Sequence, residues 1–161
     1  MARRSSTLSE DILRRLPDPD ASASLARQIA EHLSPGDTVL MYGGIGAGKT
    51  HIARAIIRHL TTPDHDVPSP TFTLVQSYDT AQGPLWHMDL YRLGDPDELA
   101  ELGLDEILDD GICLIEWPER LGALMPRRHL ALYLEQDGAG RVARIAPIGG
   151  GWDSVLRGVG A

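Results

Sequence analysis

The sequence predicts an α/β fold: a single domain with a mixed, mainly parallel sheet flanked by helices. Its 161 residues, 42% of them hydrophobic, suit one domain with one buried core. Short apolar runs of strand length alternate with stripes of apolar residues at helical spacing. A glycine-rich segment joins one of these runs to one of these stripes, as a loop between a buried strand and a helix does in α/β proteins.

The glycine-rich segment matches the phosphate-binding pattern G-x-x-x-x-G-K-[ST]. Its Lys49 is the only lysine among 15 basic residues, and it stands where a compact ammonium reaches the β- and γ-phosphates. Backbone N–H groups at the positive end of the next helix would hold phosphate oxygens, and the Thr50 hydroxyl would bind Mg²⁺. The pattern predicts a P-loop NTPase fold, with these residues binding the nucleotide: Gly43, Gly44, Ile45, Gly46, Ala47, Gly48, Lys49 and Thr50.

The elements before and after this loop follow from local patterns. Residues 1–15 are expected to form a flexible N-terminal tail. A helix then follows the apolar positions 25, 29 and 33, with Asp20 or Ser22 as its N-cap. Residues 38–42 predict a buried strand that leads into the loop. After the loop, one apolar stripe predicts a helix that ends at residues 61–63.

A hairpin and another helix are expected next. Residues 72–78 and 85–90 predict two strands around a turn-rich link. A helix is expected from Asp95 toward Leu108, because a proline at its first position and acidic residues in its first turn favour a helix start. Gly103 weakens that helix locally.

Three further strands complete the expected sheet. Residues 112–116 form a fully apolar run that ends in a carboxylate, as in a buried parallel strand. Residues 130–134 and 142–148 flank a turn that contains two glycines. The P-loop ATPase domain is therefore expected to span residues 16–148, followed by a C-terminal tail at 149–161.

Two carboxylates stand where apolar strands end, at Asp89 and Glu116. Parallel strands deliver side chains at their carboxyl ends to a nucleotide crevice, so each is a candidate to bind Mg²⁺ or orient the attacking water. Thr71 is a candidate switch-like contact to the γ-phosphate or the metal, or simply begins a strand. Trp117 either stacks near the nucleotide or packs in the core.

Composition and residue spacing exclude several classes of function for this chain. The formal net charge of −8 lacks the basic footprint of a protein that binds nucleic acid by itself, so no autonomous nucleic-acid binding is expected. No apolar stretch has the pattern of a signal peptide or membrane span, and a cytoplasmic protein is expected. The lone Cys113 lies in an apolar run and is expected to be an inert core thiol. The six histidines lack zinc-site spacing.

Four sequence blocks, taken together, resemble the bacterial TsaE (YjeE) ATPases. Residues 43–50 are similar to that family's G-x-x-G-A-G-K-T, residues 69–75 to its S-P-T-[FY]-T-L-V, and residues 87–93 to its H-x-D-L-Y-R-L. Residues 112–119 are similar to the family's strand that ends in E-W-P. Weaker similarity extends from residue 16 to residue 144, so the resemblance covers nearly the whole chain.

The resemblance implies a function in making N6-threonylcarbamoyladenosine in tRNAs that read codons beginning with adenine. Lys49 would bind phosphate, Thr50 and Glu116 would hold Mg²⁺, and Asp89 and Thr71 would complete the catalytic site. The partners implied are TsaB and TsaD, with tRNA reached through their complex and ATP hydrolysis resetting that complex.

The resemblance also implies base contacts and one departure. The segment near Asp18 and the one near Arg141 would face the adenine. His51, the next nucleotide-binding candidate, stands where the family usually has a second threonine whose hydroxyl contacts the α-phosphate.

Two rival functions stay open. A small-molecule kinase of the shikimate kinase type shares the loop, and residues 64–66 mimic an acidic substrate motif, although they lie between prolines rather than at the end of a strand. A nucleotide-gated binding module with little turnover is the other. A GTPase is excluded because guanine recognition normally uses N-K-x-D, and the chain has neither asparagine nor a second lysine.

Overall fold

The computed structural model describes residues 11–160 and places seven strands in one sheet. The strands are β1 Ile12–Leu16, β2 Thr38–Tyr42, β3 Val75–Thr80, β4 Gly83–Asp89, β5 Ile112–Glu116, β6 His129–Asp137 and β7 Gly140–Ile148. The helices are α1 Pro19–Ala30, α2 Lys49–Leu60, α3 Asp97–Glu101, α4 Leu104–Asp110 and α5 Asp153–Gly160, with a 3₁₀ helix at Pro118–Leu124.

The sheet is parallel at its centre and antiparallel at both edges. Its strand order is β1-β7-β6-β2-β5-β4-β3. β2 lies between β5 and β6 and is parallel to both, and β4 is parallel to β5. Antiparallel pairs form the edges, β3 with β4 on one side and β7 with β6 and β1 on the other. The mixed, mainly parallel sheet predicted from sequence is confirmed.

Helices cover both faces of this sheet, which explains the unbroken apolar runs of the central strands. Val39 and Met41 of β2 belong to the core beneath α1, α2 and α5, whereas Leu40 belongs to the core beneath α3 and α4. Successive side chains of a strand point to opposite faces, so a strand buried on both sides is apolar at every position.

α1 begins earlier than expected. Its N-cap is Asp18, whose side chain accepts a hydrogen bond of 2.8 Å from the Ala21 backbone N–H, so neither Asp20 nor Ser22 is the cap. Pro19 explains the difference, because proline suits the first helical position and favours an extended residue before it.

Parts of both expected tails have regular structure. β1 pairs with β7, although its inward-facing Arg14 conceals the strand pattern: the guanidinium donates hydrogen bonds to the Val159 carbonyl and the Gln28 side chain. α5 buries Val155 and Val159. Regular structure therefore extends beyond residues 16–148 on both sides, and residues 1–10 of the expected N-terminal tail lie outside the described residues.

Two other elements differ from expectation. β3 begins at Val75 rather than at residue 72, because the preceding residues form turns and Leu74 has a φ of 73°. The helix expected from Asp95 toward Leu108 is divided into α3 and α4 at Gly103, whose φ of +83° is left-handed. Among residues 11–160, no helix has the length and apolar content of a membrane span.

Cys113 is expected to be unreactive in the folded protein. The side chain is fully buried in β5, and burial raises the pKa of its thiol from 9.0 to about 12. The thiolate is the reactive form, so native protein should resist iodoacetamide at about pH 8 and react once unfolded in urea. An unfolded thiol loses its proton above about pH 9 while the folded thiol keeps it, so this group should lower folding stability as pH rises past 9. Rapid stoichiometric labelling of native protein would contradict the assignment.

Candidate functional site

The glycine-rich loop lies between β2 and α2, at the carboxyl ends of the central parallel strands. Gly43 has a φ of +151°, and a Cβ there would lie 2.8 Å from the Leu134 carbonyl oxygen and 2.9 Å from the Ala47 Cβ. Gly48 precedes α2 with a left-handed φ of +104°. Both positions therefore require glycine, and the tight loop leaves the N-terminal N–H groups of α2 facing it.

Lys49 folds back over the loop. Its ammonium donates hydrogen bonds to the Gly43 carbonyl at 2.6 Å and the Gly44 carbonyl at 2.8 Å, and it lies 4.2 Å from the centre of the Trp117 ring. Burial is the largest influence on the pKa of Lys49 and lowers it, while the charges of Glu116, Asp89 and Glu119 oppose that shift. The site thus holds one buried cation among carboxylates.

Glu116 has both carboxylate oxygens engaged. Thr50 Oγ1 donates to Oε1 at 2.7 Å, and His87 Nε2 donates to Oε2 at 2.6 Å. The side chain is 2% exposed and lies at the end of β5, directly across from Asp89 at the end of β4. These hydrogen bonds hold a buried carboxylate beside the start of α2.

Asp89 is tied to the segment that carries Thr71. Its Oδ2 accepts a hydrogen bond of 2.8 Å from Thr71 Oγ1, and its Oδ1 accepts one of 3.0 Å from the Tyr91 backbone N–H. Ser69 Oγ lies 2.8 Å from Thr71 Oγ1 and extends the network. A strand-end carboxylate and the turn before β3 are therefore joined through one hydroxyl.

The donor set fits a magnesium ion. Thr50, Asp89 and Glu116 offer a hydroxyl and two carboxylates, the hard oxygen ligands that Mg²⁺ prefers. Within residues 11–160, no group of three or more His, Cys, Asp or Glu side chains converges as a metal cage. Mg²⁺ commonly binds through one or two carboxylates plus phosphate and water, so a sparse set of protein ligands is what it requires.

Trp117 forms one wall of the site. It follows Glu116 with a φ of 57°, a left-handed conformation that costs a bulky residue about 1–3 kcal/mol. Its half-buried ring lies against the Lys49 ammonium and 5.0 Å from the centre of the Tyr91 ring. The ring packs on the core beneath α3 and α4 and also lines the cavity, and its stacking near a nucleotide stays a prediction.

One cavity of about 380 Å³ brings together the four residues predicted as catalytic, Lys49, Thr71, Asp89 and Glu116. They come from the start of α2, the turn before β3 and the ends of two parallel strands. The other lining residues are Ile45, Gly46, Ala47, Gly48, Thr50, His51, Tyr91 and Trp117.

Asp18 and Arg141 do not line this cavity. They line an adjoining one of about 230 Å³, which shares Gly48 and His51 with the first. The Arg141 guanidinium donates hydrogen bonds of 2.9 Å to the carbonyls of Ala47 and Gly46 and so braces the glycine-rich loop. The ring of His51 lies 3.1 Å from the Pro19 carbonyl oxygen.

His87 is the residue of this site that sequence analysis missed. It is fully buried, and its Nδ1 has no hydrogen-bond partner among the described residues. His87 precedes Asp89 by two positions, and residues two apart on a strand share a face. The two-residue spacing from Asp89 is therefore the sequence signal that could identify His87 as a residue of this site.

Comparison with known proteins identifies the family. The model of the family described as threonylcarbamoyl adenosine biosynthesis protein TsaE matches residues 16–144. The TsaE protein of Rickettsia felis is 40% identical over 120 residues, which are 74% of this chain and 70% of that protein. The TsaE protein of Haemophilus influenzae is 33% identical over 144 residues, which are 85% of this chain and 90% of that protein.

A solved structure has the same fold. The crystal structure of YdiB from Bacillus subtilis superposes with a TM-score of 0.76 at 25% identity, covering 94% of this chain and 95% of that one. The family model covers most of the chain, and the relatives match it over most of their own lengths. The chain therefore belongs to the TsaE family, which takes part in the biosynthesis of threonylcarbamoyladenosine in tRNA.

Proposed function

We propose that this chain is a Mg²⁺-dependent ATPase required for forming N6-threonylcarbamoyladenosine in tRNAs that read codons beginning with adenine. One observation carries the proposal: Lys49, Thr50, Asp89 and Glu116 meet in a single cavity beside a glycine-rich loop. Catalysis of phosphoryl transfer depends on positioned charges rather than on covalent chemistry by the protein, and these four side chains would supply such charges and metal ligands.

Each residue has a proposed task. The loop N–H groups and Lys49 bind the phosphates, and Lys49 exchanges its hydrogen bonds to loop carbonyls for phosphate oxygens. Thr50, Glu116 and Asp89 hold Mg²⁺, which when bound neutralises charge on the phosphates. Glu116 and Asp89 also supply the negative charge that orients a water molecule.

Thr71 is the proposed sensor of the γ-phosphate. Its hydroxyl bonds to Asp89, and its neighbour Phe72 is 81% exposed on the surface. A change in the contacts of Thr71 would therefore alter an external surface, as switch segments of nucleotide-binding proteins do.

The proposed nucleotide is ATP. The chain has neither asparagine nor a second lysine with which to build a guanine-reading N-K-x-D. The cavity lined by Asp18 and Arg141 adjoins the glycine-rich loop and is the proposed place for the adenine.

The proposed partners are TsaB and TsaD, with tRNA reached through their complex in the cytoplasm. Ile45 and Phe72 are each 81% exposed and lie beside the nucleotide cavity, with the Arg92 guanidinium 4.5 Å from the centre of the Phe72 ring. Exposed apolar side chains beside a site are typical of a surface that a protein partner covers. Hydrolysis would then reset the complex.

A second candidate is a nucleotide-gated docking module with little turnover. Both oxygens of Glu116 are already hydrogen-bonded, and the Lys49 ammonium is bonded to loop carbonyls. Turnover by the isolated chain should be slow if these groups rearrange only when a partner binds. The kinase alternative gains no support, because residues 64–66 do not line the cavity.

The test is Mg²⁺-dependent ATP hydrolysis by the purified chain, alone and with cognate TsaB, TsaD and tRNA. Lys49→Ala should abolish hydrolysis, and the TsaB–TsaD pair should stimulate the wild-type rate. Nucleotide binding with partner binding but no hydrolysis would favour the docking module. Hydrolysis stimulated by a small alcohol and not by the pair would revive the kinase.

A further inference from the structure

A groove beside the nucleotide cavity, with which it shares only His51, concentrates positive charge. It lies between α1 and α2, which run side by side in the same direction: the His51 ring is 3.1 Å from the Pro19 carbonyl oxygen at their starts, and His59 pairs with Glu31 at their ends. The groove has a volume of about 320 Å³. Its lining, which defines the arginine groove, is Ala23, Arg27, His51, Arg54, Ala55, Arg58, His59 and Pro63.

This concentration of charge is unusual for the chain, whose formal net charge is −8. Within residues 11–160, Arg27, Arg54 and Arg58 form no ion pair, and His59 is the one lining residue with a nitrogen close to a carboxylate oxygen, 3.4 Å from Glu31. Like charges packed in one groove repel each other, and nothing in the nucleotide site requires them there. Asp64 and Asp66 belong to the loop whose carbonyls Arg54 and Arg58 contact, but neither forms an ion pair with them. Three guanidinium groups without an ion pair therefore point to an anionic ligand.

Two of the guanidinium groups are held in place. Arg54 Nε donates to the Val67 carbonyl at 2.9 Å, and Arg58 Nε donates to the His65 carbonyl at 3.0 Å. Each contact uses one N–H, while the terminal Nη groups form no hydrogen bond within the described part of the chain. A fixed guanidinium with free N–H groups binds carboxylates at a smaller entropic cost than a mobile one.

The spacing suits a peptide that carries several carboxylates. Arg54 and Arg58 are four residues apart on α2, so their side chains emerge about 6 Å apart on one face. Carboxylates at the same spacing on a partner segment can meet both. The apolar lining residues, Ala23, Ala55 and Pro63, are small and leave room for the partner's side chains.

Charge also distinguishes the possible occupants. A long RNA would bring its dense negative charge against the acidic remainder of the surface, whereas a short acidic segment need contact only the groove. The chain's own residues 1–10 carry Arg3 and Arg4 against a single Glu10, so they are the wrong charge for it.

We propose that the arginine groove is a docking surface for an acidic segment of a partner protein, independent of nucleotide binding. The experiment uses the full chain saturated with Mg²⁺ and ADP, and a fluorescein-labelled peptide of alternating glutamate and alanine. Fluorescence anisotropy is measured at an ionic strength of about 0.01 M, where charges interact over a Debye length of about 30 Å. It is measured again at about 0.15 M, where the Debye length is about 8 Å. A peptide with glutamine in place of glutamate reports binding that does not depend on charge.

We expect saturable binding at low salt that weakens at the higher salt. Arg27→Gln should weaken it up to about fivefold, as expected for one partly exposed ion pair, and Arg54→Gln with Arg58→Gln about tenfold or more. Arg127→Gln removes the same charge from an exposed position outside the groove and should change nothing. Nucleotide binding should be equal in all variants, and Arg27, which is exposed on α1, gives a variant with little risk to folding.

Three results would overturn the proposal. The first is no binding of the glutamate peptide, or equal weakening by Arg127→Gln. The second is groove-dependent binding of tRNA that displaces the peptide, which would assign the groove to RNA phosphates. The third is a dimer that forms with rising concentration and is lost in the groove variants, since the exposed carboxylates of α3 and α4 on a second copy would then be the occupant.

Discussion

Replacing Glu116 with alanine should reduce Mg²⁺-dependent ATP hydrolysis by at least about 10²–10³-fold, the usual cost of removing one electrostatic group from an active site. The carboxylate is 2% exposed and accepts a hydrogen bond from the Thr50 hydroxyl, which is itself a proposed ligand of Mg²⁺. Its loss removes the negative charge that would hold the ion beside the phosphates. Steady-state hydrolysis with TsaB and TsaD present measures the effect.

A second variant separates loss of charge from loss of structure. Glu116→Ala also leaves the buried His87 Nε2 without a partner, which costs about 1–3 kcal/mol of stability. Glu116→Gln keeps an acceptor for one of the two hydrogen bonds but has no charge. It should therefore be as inactive as Glu116→Ala, while its unfolding temperature should lie nearer that of the wild type. Glu101→Ala, which removes an exposed glutamate on α3 outside the cavity, is the matched control. Full partner-stimulated hydrolysis by Glu116→Gln would show that the catalytic assignment is wrong.

The part of the fold that could be predicted is the part in which local sequence and tertiary position agree. β2 and β5 are apolar apart from one polar residue at an end of each, Thr38 and Glu116, because both of their faces are covered, and such runs identify central strands. The glycine pattern marks the loop that joins β2 to α2. Asp89 and Glu116 could be paired as site residues because parallel strands end at one edge of a sheet, and the structure places them directly opposite each other.

The elements that escaped prediction depend on distant partners. β1 is a strand because β7 offers an edge, and its Arg14 faces inward only because the carbonyl of Val159 accepts its hydrogen bond. α5 has one turn of apolar residues to bury, Val155 and Val159, and that is too little for a helix pattern to stand out. His87 looked like an ordinary strand residue because its partner Glu116 is 29 positions away on the neighbouring strand.

Replacing His87 with leucine should reduce the affinity for nucleotide in the presence of Mg²⁺ by about 10–100-fold. That is the usual loss of metal affinity when a group that orients a metal ligand is removed. His87 Nε2 donates to the oxygen of Glu116 that does not face Thr50, so it holds the carboxylate turned toward the start of α2. The orphaned Nδ1 of this fully buried ring is a stability cost, and the held carboxylate is a reason to retain the histidine. Titrating a fluorescent ADP analogue with and without Mg²⁺ measures the effect without requiring turnover.

Nucleotide binding with and without Mg²⁺ distinguishes a role in orienting Glu116 from general destabilisation of the fold. Without Mg²⁺, His87→Leu should bind the nucleotide as wild type does, because the loop and Lys49 are unchanged. Glutamine can place its amide N–H near the position of Nε2, so His87→Gln should recover part of the Mg²⁺ effect. His129→Leu removes another buried strand histidine, one that bonds to the Pro126 carbonyl and not to Glu116, and should leave the Mg²⁺ effect intact. Equal loss in both leucine variants, or a loss that is the same without Mg²⁺, would mean that His87 supports the fold and does not orient Glu116.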